Sequence, residues 1–383
     1  MPERVLVTGA RAAAALEIAR AFAQAGFSVH MADSASARIS RWSSAVAKVH
    51  ALPSPRRDRA GYRAAVAGLV ERVRPTVIVP TCEEVFHLAA FDLSAPLFAP
   101  PLETLRRLHD KALFAGDCAA AGLPVPETHR LAEPADLQHL RGDTGSWVLK
   151  ARFSRFGAAT LVDPEPEDLR QVAAAPDRGW IAQRRIRGHE ISFYAVAHAG
   201  ALVAFAAYDS RWRLRGGASL VFDVVGPALA AKTLGLARRI AARHDLTGQF
   251  ACDLMVDDDG QPWLLECNPR ATSGVHLLSG GAGLARAMLG AEDSLLTVHG
   301  GQRQVLPALV TFGLANAIRT RRMAEWLSQV RAAPDVTGRP GDRWPLLGAV
   351  IDGLGFSLAG MVSGQGAAAA STADIEWNGE DLQ

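Results

Sequence analysis

Over the first hundred residues, short apolar runs alternate with longer stretches of helical period. Residues 4–8 (Arg-Val-Leu-Val-Thr) read as a buried strand, followed by Gly9 and an alanine-rich helix over about 11–25. A second strand is expected at 29–33, a helix at about 61–73 and a third strand at 76–80. Strands separated by helices in this way predict a parallel sheet with covering helices. Pro96, Pro100 and Pro101 mark its exit.

The pattern then changes. A helix beginning near Asp110 should end at Gly122, where Leu-Pro-Val-Pro supplies a stop and an extended entry. Strands are expected at 146–151, 180–183, 190–197 and 201–207, and a helix at 227–243. Two apolar-rich runs then flank Asp259-Gly260, a two-residue hairpin signal. Beyond about residue 300 the signals thin out. Residues 311–330 suggest one helix, and the Gly/Ala/Ser-rich stretch 363–372 reads as mobile. No repeat of solenoid period is found.

The hairpin carries the most specific chemistry. With the turn centred between Asp259 and Gly260, Asp253 lies directly opposite Glu266, with Cβ atoms about 5 Å apart. Asn268, two residues on, shares that face, as would Met255 and Leu264. Two carboxylates and an amide oxygen on one partly shielded face suit a hard divalent cation, Mg²⁺ or Mn²⁺. The cation removes the repulsion of two like charges. Asp257, Asp258 and Asp259 read as solvated turn residues.

Composition narrows the class. The 383 residues are 49% hydrophobic and 21% charged, as in an ordinary soluble globular protein of two or three domains. A formal net charge of +2 offers no attraction to nucleic acid or membrane. The start lacks the apolar core of a secretory signal, and no uninterrupted apolar stretch reaches membrane-spanning length. Cys252 and Cys267 would be cross-strand partners on the face opposite the carboxylates, as packed thiols rather than a disulfide. A cytoplasmic enzyme is expected. Lysine is scarce (Lys48, Lys111, Lys150 and Lys232 only), so a lysine at a motif position is informative.

Three further segments join the hairpin: Asp110-Lys111-Ala-Leu-Phe, Val148-Leu-Lys150-Ala-Arg-Phe-Ser-Arg-Phe-Gly157, and Ile181-Ala-Gln183-Arg184-Arg185-Ile186-Arg-Gly188-His-Glu190. In this order and spacing, over roughly residues 1–300, the chain resembles ATP-grasp enzymes. The resemblance implies a mixed α/β and α+β fold, with a Rossmann-like N-terminal domain (1–105) ahead of a two-lobed ATP-grasp fold. The small lobe with its phosphate flap would span 106–184, the large lobe with the metal site 185–300, and 301–383 would be an extension of unassigned role.

Residue by residue, the resemblance makes Lys111 and Lys150 the lysines on the α- and β-phosphates, with Ser154 and Gly157 in the flap. Gln183, the carbonyl of Arg184 and the N–H of Ile186 would meet adenine at the hinge, and Glu190 the ribose. Asp253, Glu266 and Asn268 would be metal ligands, and Arg270 would face the transferred phosphoryl group. The chain departs from the glycine-rich flap of many relatives, for Arg152 and Arg155 add bulk and charge there. After Arg270 it lacks the Gln-Val-Glu-His continuation of biotin-dependent carboxylases. Ser273-Gly274-Val-His276 faintly resembles purine-biosynthetic relatives.

The implied reaction is ATP-dependent activation of a small-molecule carboxylate as an acyl phosphate, followed by coupling to an amine. A purine-biosynthesis-like or carbamoyl-phosphate-type reaction is the alternative within the superfamily, and a nucleotide-binding protein without catalysis the alternative outside it. Substrate contacts are expected from Glu83 after the strand at 76–80, from Arg213 and Arg215, and from Ser273. A solvated basic edge or a helix-start acid explains these residues equally well. Val-Thr-Gly9-Ala with Asp33 prompts a nicotinamide-dependent reading, but only the first glycine of Gly-x-Gly-x-x-Gly is present. A homodimer is compatible with the sequence.

Overall fold

Val5 and Val7 bury into one apolar layer and Leu6 into another, because helices cover both faces of the strand they form. The computed structural model describes residues 2–382, apart from 134–135, 138–139, 141–142, 155–158, 174–178, 214–218, 293 and 299. Its first sheet is parallel and runs β3-β2-β1-β4, with β1 at Arg4–Thr8, β2 at Ser28–Asp33, β3 at Lys48–Ala51 and β4 at Val77–Val79. Helix Ala13–Gln24 packs Ile18 and Phe22 on one side; helix Arg59–Val73 packs Tyr62, Val66 and Leu69 on the other. Strand β3 was not expected. It is an edge strand, Lys-Val-His-Ala, with no apolar run to announce it.

Two antiparallel sheets follow. The smaller is ordered β5-β8-β6-β7, from β5 (Thr128–Leu131), β6 (Trp147–Ala151), β7 (Thr160–Val162) and β8 (Trp180–Arg184). The larger runs β13-β12-β9-β10-β11-β15, from β9 (His189–His198), β10 (Ala201–Arg213), β11 (Ser219–Val224), β12 (Gly248–Val256), β13 (Pro262–Asn268) and β15 (Gln302–Gln304). β14 (Leu296–Thr297) pairs with β10 in parallel. Helix Pro227–Arg243 covers one face, where Ile240 shares a core with Phe193, Phe250, Cys252, Leu254 and Cys267. Tyr194 and Val196 on the other face share a core with helix Ala13–Gln24, tying the large sheet to the first layer.

The hairpin departs from its expected geometry in an instructive way. Asp253 does pair with Glu266, Cys252 with Cys267 and Ala251 with Asn268. Nearer the turn the register shifts: Leu254 pairs with Leu264 and Val256 with Pro262. The connection is thus the longer loop 257–261, closed by Asp257 N–H to the Gln261 carbonyl (3.1 Å) and turned by Gly260 at φ 71°. A bulge at Leu265 restores the expected register beyond it. Leu264 consequently lies on the face opposite Glu266, buried with Leu254, and does not shield the carboxylates as expected. All four cysteines are free.

The C-terminal region differs most from the sequence reading. The single helix expected over 311–330 is two, Leu314–Arg319 and Met323–Ala332, parted by Arg321 at φ 57°. The reversal lets Trp326 pack back and donate to the Leu309 carbonyl (3.0 Å). Residues 344–363 form a 20-residue helix, Trp344–Ser363, long and apolar enough by length and composition to cross a membrane. It packs on helix Arg38–Arg41, where Asp352 accepts from Ile39 N–H (2.9 Å) and Arg38 (3.2 Å). The stretch read as mobile is folded: it ends this helix and forms helix Ala367–Ala370. Next, the Ser371 carbonyl and Asp374 carboxylate accept from Arg11 (2.8 and 2.5 Å).

Candidate active site

Asp110 starts the helix Lys111–Ala120 by accepting Ala112 N–H (2.9 Å) and Leu113 N–H (3.3 Å). That cap fixes Lys111 in the first turn, where it is 2% exposed. Its Nζ donates to the Ser154 carbonyl (3.0 Å) and stands 3.3 Å from Glu266 Oε2. Arg152 pairs with Asp110, and the Lys111 N–H donates to the Arg152 carbonyl (3.3 Å), so the end of β6 is bound to this helix. Strand alternation buries Leu149 in the core of the small sheet and turns Lys150 to the other face. There Lys150 Nζ donates to Gln183 Oε1 (2.8 Å). Gln183 donates in turn to Thr128 (3.2 Å) and to the Leu265 carbonyl at the bulge (3.5 Å), bridging the two antiparallel sheets.

The opposing wall comes from the large sheet. Register places Ser192 beside Asp253 and Glu190 beside Met255, so Glu190, Ser192, Asp253, Glu266 and Asn268 project from one face. Ser192 donates to Asp253 Oδ1 (2.6 Å), and the Asn268 amide to Oδ2 (3.3 Å). Arg270 donates to Asn268 Oδ1 (3.3 Å) and lies 3.8 Å from Glu83 Oε1. Burial pushes the Glu266 carboxyl up, but Lys111 and Lys150 more than offset this and hold it below its ordinary value. Lys150 is the converse case. Burial pulls its ammonium below the lysine range; Glu266 opposes the shift and Lys111 adds repulsion.

Among the described residues no group of three His, Cys, Asp or Glu side chains is arranged to hold a metal. The set here is two carboxylates and an amide, all hard oxygen donors, and Glu266 is 24% exposed at its side chain. That chemistry fits a hard divalent cation that also draws oxygens from a phosphate.

Other expected residues are placed less centrally. Arg184 ends β8, its N–H bonded to the Glu127 carbonyl (2.7 Å), and Ile186 lies in the link to β9. Gly188 in that link has φ 147° and packs so closely on the Val256 carbonyl that no Cβ fits. Glu83 is buried, and its Oε2 accepts the N–H of Trp377 (3.2 Å) from the chain's far end. Ser273 opens a 3₁₀ turn, Ser273–Leu278, whose next residue, Gly274, is wedged against Tyr194 and Tyr208. Arg213 closes β10; its side chain, like all of Gly157 and Arg215, lies outside the described residues. Asp33, the acid that prompted the nicotinamide reading, accepts instead from the Arg11 side chain (2.9 Å) and from its N–H (2.7 Å).

Ser192 gave no functional signal in the sequence, and Asp110 stood only as the start of the Lys111 segment, although an Asp immediately before a helical period is a cap signal that marks what it positions. The C-terminal tail was missed altogether. Trp377 is buried, stacked on Phe86 (4.6 Å) and edge-on to Phe153 (5.0 Å), the residue after Arg152.

The family model of the ATP-grasp domain matches residues 108–274. No curated protein matches the chain. Among solved structures, a carboxyaminoimidazole ribonucleotide synthase from Aspergillus clavatus complexed with ATP has TM-score 0.65 at 16% identity, covering 83% of this chain and 86% of the other. The biotin carboxylase domain dimer of Hydrogenobacter thermophilus 2-oxoglutarate carboxylase, in complex with MgADP, ADP and bicarbonate, has TM-score 0.63 at 16% identity, with 79% and 73% covered. An L-amino acid ligase from Bacillus licheniformis has TM-score 0.60 at 15% identity, with 75% and 74% covered.

Proposed function

We propose that this chain, whose residues 108–274 match the ATP-grasp domain model, is an ADP-forming ligase that activates a carboxylate and couples it to an amine. One observation carries the reading. Two buried lysines, Lys111 and Lys150, converge on a pair of cross-strand carboxylates, joined through Glu266 and Gln183.

In this reading the small and large antiparallel sheets are the two lobes that enclose ATP. Lys150 and Lys111 neutralise the phosphates, and the hinge at Gln183, Arg184 and Ile186 takes adenine, with Glu190 on the ribose. Asp253, Glu266 and Asn268 hold Mg²⁺, which supplies charge neutralisation on the phosphate oxygens. The substrate carboxylate oxygen attacks the γ-phosphorus in line, the bond to the β-phosphate oxygen breaks, and ADP leaves. Arg270 offsets charge on the transferred group. The amine then attacks the acyl carbon, releasing phosphate, and its proton passes to solvent. The binding of Lys111 to the Ser154 carbonyl keeps the base of the flap against the phosphates and helps exclude water.

The test is phosphate and ADP release with ATP and Mg²⁺ over panels of carboxylates, bicarbonate included, and amines. Release that needs both a carboxylate and an amine supports the proposal. Nucleotide binding with no turnover over the whole panel speaks for a binding protein instead.

A further inference from the structure

Helix Trp344–Ser363 packs on helices Arg38–Arg41, Ala367–Ala370 and Leu306–Ala308 and, among the described residues, leaves a stripe of large apolar side chains exposed. Trp344, Leu347, Ile351, Leu354, Leu358 and Met361 follow one another at spacings of three and four residues, the a/d pattern of a helix seam. Ile351 is half-buried; the other five are 44–71% exposed. Nothing in the site described above accounts for this stripe.

We propose that the stripe is the interface of a two-fold homodimer, in which this helix packs antiparallel against the same helix of a second copy. The pattern is self-complementary in that orientation. Trp344 falls opposite the partner's Met361, Leu347 opposite the partner's Leu358, and Ile351 opposite the partner's Leu354, each layer occurring twice about the axis. Gly355 lies beside the seam with open space around it, which lets the backbones approach. The six side chains offer roughly 700 Å² of exposed surface per copy, or about 1,400 Å² for a pair, within the range of specific stable interfaces.

The charge distribution disfavours a lipid surface as the occupant. A helix lying in a membrane interface carries Lys or Arg along its polar side. No basic residue occurs between Trp344 and Ser363, and the one charged residue, Asp352, is turned inward onto Ile39 and Arg38. The inference does not depend on the reaction proposed above.

Light scattering after size exclusion, on the full chain at low micromolar concentration, tests it. The expected mass is twice 40.7 kDa. The double variant Leu354→Glu/Leu358→Glu should elute as a monomer, its self-affinity weakened about 100-fold or more by carboxylates placed in each seam. Both positions face solvent in the single copy, so an unchanged circular dichroism spectrum is expected and separates lost pairing from lost folding. Three results overturn the proposal: a monomeric parent, a parent that remains monomeric but floats with phosphatidylcholine/phosphatidylglycerol vesicles, or a parent dimer that the double variant leaves intact.

Discussion

Removing the Glu266 carboxylate should destabilise the protein and stop its chemistry for two separable reasons. In the structure Glu266 stands 3.3 Å from Lys111 Nζ, whose side chain is almost wholly buried, and it also opposes the fall in the Lys150 pKa. At that distance the attraction is about 5 kcal/mol for an effective dielectric of 20. Breaking a buried pair by deleting one partner costs roughly 3–5 kcal/mol, and the partial exposure of Glu266 puts the expectation near the lower end, about 3 kcal/mol. For a chain of this length unfolding as one unit, that lowers the melting temperature by about 4 °C. Glu266→Gln keeps the volume and loses the charge, so it should melt with Glu266→Ala rather than with the parent. Both variants should lose Mg²⁺-dependent ADP release, while metal-free ATP, freed of competition for the lysines, should stabilise them at least as much as the parent. Thermal melts with and without nucleotide, together with a coupled ADP assay, measure all of this. Parent-like melting in both variants would refute the electrostatic argument; parent-like turnover would refute the metal assignment.

Because the Lys150 ammonium is held below the ordinary lysine range, the unfolded chain binds its proton more tightly than the folded one. Lys150 therefore opposes folding at neutral pH, and the penalty is relieved as pH rises from its folded pKa towards 10.5. A triphosphate should restore the ammonium, so ATP binding in the alkaline range should take up protons, read by calorimetry in buffers of different ionisation enthalpy; Lys150→Met should abolish the uptake, and uptake unchanged in that variant rejects the assignment. Trp377→Ala removes a buried indole from Phe86, Phe153 and Arg106 and should cost about 3–5 kcal/mol. It should also speed proteolytic clipping of the tail; a tail as resistant as the parent's contradicts the packing described.

Elements announced by strong period were readable from the chain. Strands β1 and β2 and the helices Arg59–Val73 and Pro227–Arg243 fall within a residue or two of expectation; β1 is a continuous apolar run and Pro227–Arg243 a long amphipathic helix. The pairing of Asp253 with Glu266 was also readable, though by a route the sequence does not display. A longer turn moves the register by one, and the Leu265 bulge moves it back. Hydropathy cannot reveal such a cancellation, because Leu264 and Leu265 are equally apolar. The site's supporting contacts were out of reach for another reason. Glu83 meeting Trp377 joins residues 294 positions apart, and Arg11 meeting Asp374 joins residues 363 apart. Local spacing contains no trace of such encounters. Helix Trp344–Ser363 escaped notice because it is apolar nearly all round, leaving little polar contrast for a period to show.

The tail of residues 374–382 has a practical bearing on handling the protein. Leu382 is tucked among Val85, Phe86, Leu105 and Trp377, one layer from Phe153 just past the end of β6. Anything fused downstream, such as an affinity handle or a fluorescent reporter, would sprout from beside Phe153 and the end of β6 rather than from a remote surface. Pro2 and Glu3, which lead into β1, are by contrast exposed, so labels and immobilisation chemistry are better attached there.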